Sequence, residues 1–253
     1  MSDDLIKVTY RLETSGDVAA LAAKIASDQS TGTFTDLPGE TDAVKARCAA
    51  RVLSITTLPD TQTPSFPTDG GPFHRADVVI GYPLEAVGTD IAALMTITVG
   101  GVYAVRGLSG VRVMHFDLPA AFARHPGPQF GIDGSRKLTN VYNRPIIGSI
   151  IKPALGLTPA ETAMMVQELC EAGVDFIKDD EKLMSPGYSP LADRIAAVMP
   201  VIDAHEQKTG KRVMYAWGIS SADPDQMLEN HDLVVNAGGN AAVININSVG
   251  YGG

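Results

Sequence analysis

"DFIKDDEK", Asp175 to Lys182, is a short apolar strand that runs straight into one lysine and three consecutive carboxylates. Its apolar part belongs to a strand covered on both faces, the habit of parallel sheets rather than of half-exposed antiparallel ones. Working outward, four strand candidates share this character: "IIGSIIK" at 146–152, "VDFIKDD" at 174–180, "VMYAWGIS" at 213–220 and "AAVININ" at 241–247. Each intervening helix opens with a capping side chain followed by proline: Thr158-Pro159, Ser189-Pro190 and Asp223-Pro224. Proline in the first turn gives up only an N–H that has no helical partner. Glu161 and Gln226 stand three residues after Thr158 and Asp223, where capping-box partners belong. Such βα units in series build either a (β/α)8 barrel or a doubly wound sheet. No G-x-G-x-x-G follows the first strand, which favours the barrel. Four strands cannot close one, and a half-barrel exposes two apolar edges, so the sequence is expected to be part of a longer chain.

Ahead of this region the pattern changes to alternation. Ile6, Val8, Tyr10 and Leu12 share one face of a strand over Leu5–Glu13, with Lys7, Thr9, Arg11 and Glu13 on the other. An amphipathic helix follows, with Asp17 placed to cap it and Val18, Leu21, Ala22 and Ile25 on its apolar stripe. Strands are expected near 50–57 and 76–82, a second helix over 89–99 ending at Gly100-Gly101, and a strand over 111–116. The order βαββαβ is ferredoxin-like. The α/β organisation expected is therefore a ferredoxin-like domain over 1–125, a linker over 126–145, and the first half of a (β/α)8 TIM barrel over 146–253.

Composition narrows the partners. The chain has 253 residues, 45% of them hydrophobic, and a net charge of −9 without a dense Lys/Arg cluster, which argues against nucleic acid and anionic lipid. No leader-like amino terminus and no apolar run near the ~18 residues of a membrane span is present, so a cytoplasmic protein is expected. Cys48, in a strand-like segment, and Cys170, in a helix-like one, are expected to be buried reduced thiols. His74 and His125 fall in loop-like stretches, His115 in a strand, His205 and His231 in helices, and none has a partner at ligand spacing.

Ligands of both α/β architectures meet the carboxyl ends of the strands. Those ends carry Lys152, then Lys178 with Asp179, Asp180 and Glu181, then Trp217 and Ser220, then Asn245 and Asn247. Strand alternation sends Lys178 and Asp180 to one side. An acidic run is by itself usually a solvated turn; at a strand end its carboxylates could supply part of the oxygen shell of Mg2+. A lysine ammonium would repel that cation unless its nitrogen became part of an anion.

"GSIIKPALG", 148–156, followed by "GVDFIKDDE", 173–181, resembles the paired signature of the RuBisCO large-chain superfamily. "ASDQSTGTF", 26–34, and "GPQFGIDGSR", 127–136, are similar to further motifs of that family, and the likeness runs the length of the chain. The resemblance implies that Lys178 adds CO2 to become a carbamate, which with Asp180 and Glu181 holds Mg2+, while Asp179 stays outside the metal's ligands. It implies Lys152 as acid, base or oxyanion stabiliser, with Lys178 as the other catalytic lysine. Asp28 and Thr33 would bind substrate from a loop that crosses a homodimer interface, so active sites are shared. From the residues alone, Asn245 and Asn247 are expected to share a face at the end of the fourth strand, where they hydrogen-bond substrate hydroxyls or serve only a polar barrel interior.

Departures from the carboxylating pattern matter as much. Ala154 stands where carboxylases have the second lysine of K-P-K, Ile150 replaces a threonine, Gly101 an asparagine, and Asp28 a longer glutamate. Losing a charge and hydrogen-bonding groups from a buried site removes transition-state stabilisation. The likeness is thus to a RuBisCO-like protein of the non-carboxylating form IV. The implied activity is Mg2+-dependent enolate formation on a phosphorylated sugar-derived ketone or β-keto acid, of the decarboxylating or hydrolytic type. The alternatives are an isomerase or enolase of a methylthio-sugar phosphate, and a sugar-phosphate-binding protein without catalysis.

Overall fold

Alternation in the first strand sets up the amino-terminal core. In the computed structural model, which describes residues 4–32 and 38–252, Ile6, Val8, Tyr10 and Leu12 of β1 (Leu5–Thr14) are fully buried. The helix α1 (Val18–Asp28) packs Leu21, Ala22 and Ile25 on that face, and Asp17 accepts the Ala20 N–H at its start. After α2 (Asp42–Cys48) come β2 (Arg51–Thr61) and β3 (Phe73–Pro83), then the short helices α3 (Leu84–Val87) and α4 (Ile91–Met95), and β4 (Gly110–Asp117). The antiparallel sheet runs β2-β3-β1-β4, the ferredoxin-like order.

Several local expectations are corrected. The second helix begins after Asp90, whose carboxylate accepts the Ala93 N–H, and passes after Met95 into a π-helical turn over Thr96–Gly100. Cys48 ends a helix and is only half-buried, whereas Cys170 is buried. His74 lies in β3 opposite Thr14. Glu13 is buried, because the Ser65 N–H and the Ser65 and Ser109 hydroxyls donate to its carboxylate.

Contacts divide the chain into two units, Met1–Pro126 and Gly127–Gly253. The second opens with α5 (Gly131–Thr139), inside the stretch expected as linker, and continues through β5 (Gly148–Ile150), α6 (Pro159–Glu171), β6 (Phe176–Lys178), α7 (Leu191–Thr209), β7 (Met214–Gly218), α8 (Pro224–Asn236), β8 (Ala241–Val243) and α9 (Ile246–Val249). Its four strands are parallel in the order β5-β6-β7-β8, as in a (β/α)8 barrel that is half present. Ile177, Tyr215 and Trp217 of the sheet pack on Val166 and Cys170 of α6 and on Ile195, Val198 and Ile202 of α7. At the amino end of β6 the buried Asp175 carboxylate receives Arg144 at 2.5 and 2.8 Å, the Ile147 N–H at 2.8 Å and Lys211 at 2.6 Å. Arg144 chiefly, with the Ile147 N–H and Lys211, holds that carboxyl well below the usual carboxylate range.

Helix caps follow the sequence in one case and depart from it in two. Thr158 and Glu161 form the full capping box. Asp223 caps α8 through the Asp225 N–H, but Gln226 turns to Glu229 and Asn230 instead of back to the cap. Pro190, not Ser189, is the cap position of α7, and the first-turn Leu191 N–H is taken by the Ser185 hydroxyl. No helix among the described residues is long and apolar enough to cross a membrane.

Candidate active site

Two lysine–carboxylate pairs meet at the carboxyl ends of β5 and β6. The chain leaves β5 at Ile150, and the Ile151 N–H bonds the Lys178 carbonyl at 3.0 Å, which keeps the two strand ends in step. Lys152, 61% exposed along its side chain, donates its ammonium to Oδ2 of Asp180, which is 2% exposed. The other Asp180 oxygen, Oδ1, accepts the Lys182 N–H at 3.0 Å. Lys152 first, then this amide, depresses the Asp180 carboxyl. Lys178 donates to Glu181 Oε2 and to the Asp179 carbonyl, both at 2.8 Å, and its ammonium depresses the Glu181 carboxyl.

Asp179 points elsewhere. Its carboxylate is fully buried, where it accepts the Tyr215 hydroxyl at 2.5 Å and the Gly218 N–H at 3.0 Å, with Arg194 Nη2 at 3.6 Å. Burial, and then the Asp179 charge, pushes the Tyr215 hydroxyl well above its ordinary value. Trp217 is fully buried and packs on Tyr215 with ring centres 4.2 Å apart.

The remaining sequence-derived residues are dispersed. Asn245 and Asn247 do not share a strand face: β8 stops at Val243, and Asn245 caps α9 by accepting the Asn247 N–H. Backbone pairing at Ala241–Val243 is followed by this turn because an Asn side chain competes for nearby amides. The Asn245 N–H itself goes to the Ser220 hydroxyl at 2.8 Å, joining the ends of β7 and β8. Asp28 is the last residue of α1 in the first unit, where it lines a cavity of about 590 Å3 with Lys24, Gln29, Gly101 and Arg106. Thr33 lies outside the described residues.

Sequence reading missed Arg194 and Tyr215. Arg194 shares the helical stripe of Leu191, Ile195 and Val198, so a charged residue in an apolar face was the available signal. Among the described residues no group of three or more His, Cys, Asp and Glu side chains is arranged to hold a metal ion. The four charges at the rim fit a cation only conditionally. As they stand, two ammonium groups offset two carboxylates, whereas CO2 on Lys178 would exchange one positive charge for a negative one and leave two net negative charges for a divalent ion.

The model of the ribulose bisphosphate carboxylase large chain, N-terminal domain, matches residues 1–122, and that of its catalytic domain matches residues 131–253. The chain is 62% identical over 252 residues to a 3-oxo-isoapionate-4-phosphate decarboxylase of Rhizobium rhizogenes, covering 98% of this chain and 60% of the relative. It is 40% identical to a 3-oxo-isoapionate-4-phosphate transcarboxylase/hydrolase of Xanthobacter autotrophicus, with coverage of 98% and 60%. The crystal structure of a rubisco-like protein from Burkholderia fungorum superposes with a TM-score of 0.78 at 38% identity, covering 97% of this chain and 59% of that one. The chain thus spans about 60% of the length of the curated relatives it matches. It belongs to the RuBisCO large-chain superfamily, among the RuBisCO-like proteins.

Proposed function

We propose that this protein is a RuBisCO-like decarboxylase of a phosphorylated β-keto acid, 3-oxo-isoapionate 4-phosphate or a close analogue, and not a carboxylase. The observation that carries the reading is the pairing of Lys152 with Asp180 at the adjoining ends of β5 and β6, beside the Lys178–Glu181 pair. The names of relatives 62% identical support the substrate class.

Loss of CO2 from a β-keto acid breaks the bond to the carboxyl carbon and sends its electron pair into the neighbouring carbonyl as an enolate. Lys152 is proposed to donate a hydrogen bond to that oxygen and then a proton, directly or through water, to the enolate carbon. Asp180 orients the Lys152 ammonium until substrate enters. Lys178, once deprotonated, would add CO2 at Nζ and release a proton, and its carbamate with Asp180 and Glu181 would hold Mg2+. When bound, that ion supplies positive charge against the developing enolate. Asn245 spends its carbonyl oxygen on the cap, so its NH2 is the group proposed for a substrate oxygen. Asp28 and Thr33 are proposed to complete the site from the second subunit of a homodimer in the cytoplasm.

The test is release of labelled CO2 from 3-oxo-isoapionate 4-phosphate carrying 13C in its carboxyl group. The reading expects release by the wild type and at least about a hundredfold less by Lys178→Ala. No release by the wild type, or equal release by Lys178→Ala, rejects it.

A further inference from the structure

We infer that Arg194 and Tyr215 are positioning residues that act through Asp179 to aim Lys178 and Asp180 at the reaction site. The inference rests on the proposed function for what those two groups do, but its geometry stands independently. Side chains alternate along an extended segment, so drawing residue 179 inward turns 178 and 180 the other way. Asp179 is drawn inward by the Tyr215 hydroxyl, the Gly218 N–H and the nearby Arg194 guanidinium. On the opposite side Lys178 and Asp180 meet Glu181 and Lys152.

Arg194 does more than balance the Asp179 charge. It is fully buried, and it donates from Nη1 to the Ser189 carbonyl and from Nη2 to the Met184 carbonyl at 2.8 Å. One guanidinium therefore ties both ends of the 184–189 loop to the carboxylate that anchors the strand end. Gly218 completes the enclosure: a Cβ there would come within 2.9 Å of the Leu183 carbonyl, so only glycine lets the turn after Asp180 approach β7 so closely. Burying such a charged pair is costly compared with apolar packing of the same volume, which makes definition of one local geometry the function that accounts for it.

Tyr215→Phe removes one hydrogen bond to Asp179 and keeps the ring on Trp217. Its comparison is Val198→Ala, which opens a cavity in the same core and removes no hydrogen bond to Asp179. Amide exchange at Lys182 and Leu183, which bond Asp180 Oδ1 and the Asp180 carbonyl, reports the turn directly. In Tyr215→Phe those two amides should exchange about tenfold faster relative to the Val198→Ala protein, and kcat for decarboxylation should fall about tenfold with KM nearly unchanged. Arg194→Lys, which keeps the charge but cannot span both carbonyls, should do the same. Exchange at Lys182 and Leu183 that rises no more than in Val198→Ala overturns the inference, as does an unaltered kcat. If the wild type releases no CO2, the decarboxylase reading fails while the exchange comparison still decides whether Asp179 is the anchor.

Discussion

Lys152 and Asp180 each lie two residues past the end of adjacent strands, β5 and β6, 28 residues apart in sequence, and their side chains close an ion pair across the rim. One partner is largely exposed and the other almost wholly buried, so the lysine is held at a defined place without being needed by the core. Lys152→Met leaves the buried Asp180 carboxylate with the Lys182 N–H but no ammonium, so it should cost about 1–3 kcal/mol of stability without unfolding the protein and lower kcat by about a hundredfold or more, the usual cost of removing a positioned acid. Steady-state kinetics alongside a thermal melt check this; a rate loss that only tracks loss of the folded fraction would assign Lys152 to structure.

The Arg144–Asp175–Lys211 cluster is the clearest source of acid sensitivity. The Asp175 carboxyl titrates lower in the folded chain than in the unfolded one, so its contribution is present above the unfolded value, about pH 4, and fades as pH falls through the folded value. Asp175→Ala should cost about 3 kcal/mol near neutral pH, at the low end for a broken buried pair because Arg144 is half exposed. Urea unfolding of both proteins between neutral pH and pH 3 should show the difference shrinking only below about pH 4.

Ser185 and Ser189 should respond in opposite senses. Ser185→Ala removes the acceptor for the Leu191 N–H and should cost about 1 kcal/mol, as caps do. Among the described residues Ser189 Oγ is buried with no hydrogen-bond partner, so Ser189→Ala should be neutral or stabilising by about 1 kcal/mol. Denaturant midpoints settle the order, and a larger loss for Ser189→Ala would contradict the capping assignment.

The legible parts of this fold are those where a repeating pattern coincides with burial. Ile6, Val8, Tyr10 and Leu12 could be read from alternation because one face of β1 is wholly covered. Four apolar segments marked the parallel strands, although three of the hydrogen-bonded cores are only three residues long. The helix α2 was not read at all: none of its residues is buried, so it carries no amphipathic stripe. "ININ" alternates like a strand, yet the Asn245 carboxamide captures the Asn247 N–H and starts a helix. At the site, Lys152, Lys178, Asp180 and Glu181 were visible as strand-end residues, but the pairing across strands depends on register that no local pattern encodes. The inward turn of Asp179 toward Tyr215 and Arg194 likewise arises from contacts 36 and 15 residues away along the chain.

The balanced charges of Lys152, Lys178, Asp180 and Glu181 become a cation site only if one lysine changes sign. Carbon-13 NMR of the protein equilibrated with 13CO2 reads that change directly. The account predicts a carbamate resonance that is strengthened by Mg2+ and missing from Lys178→Ala. A wild-type spectrum without that resonance at saturating CO2 and Mg2+, or one that survives unaltered in Lys178→Ala, would contradict it.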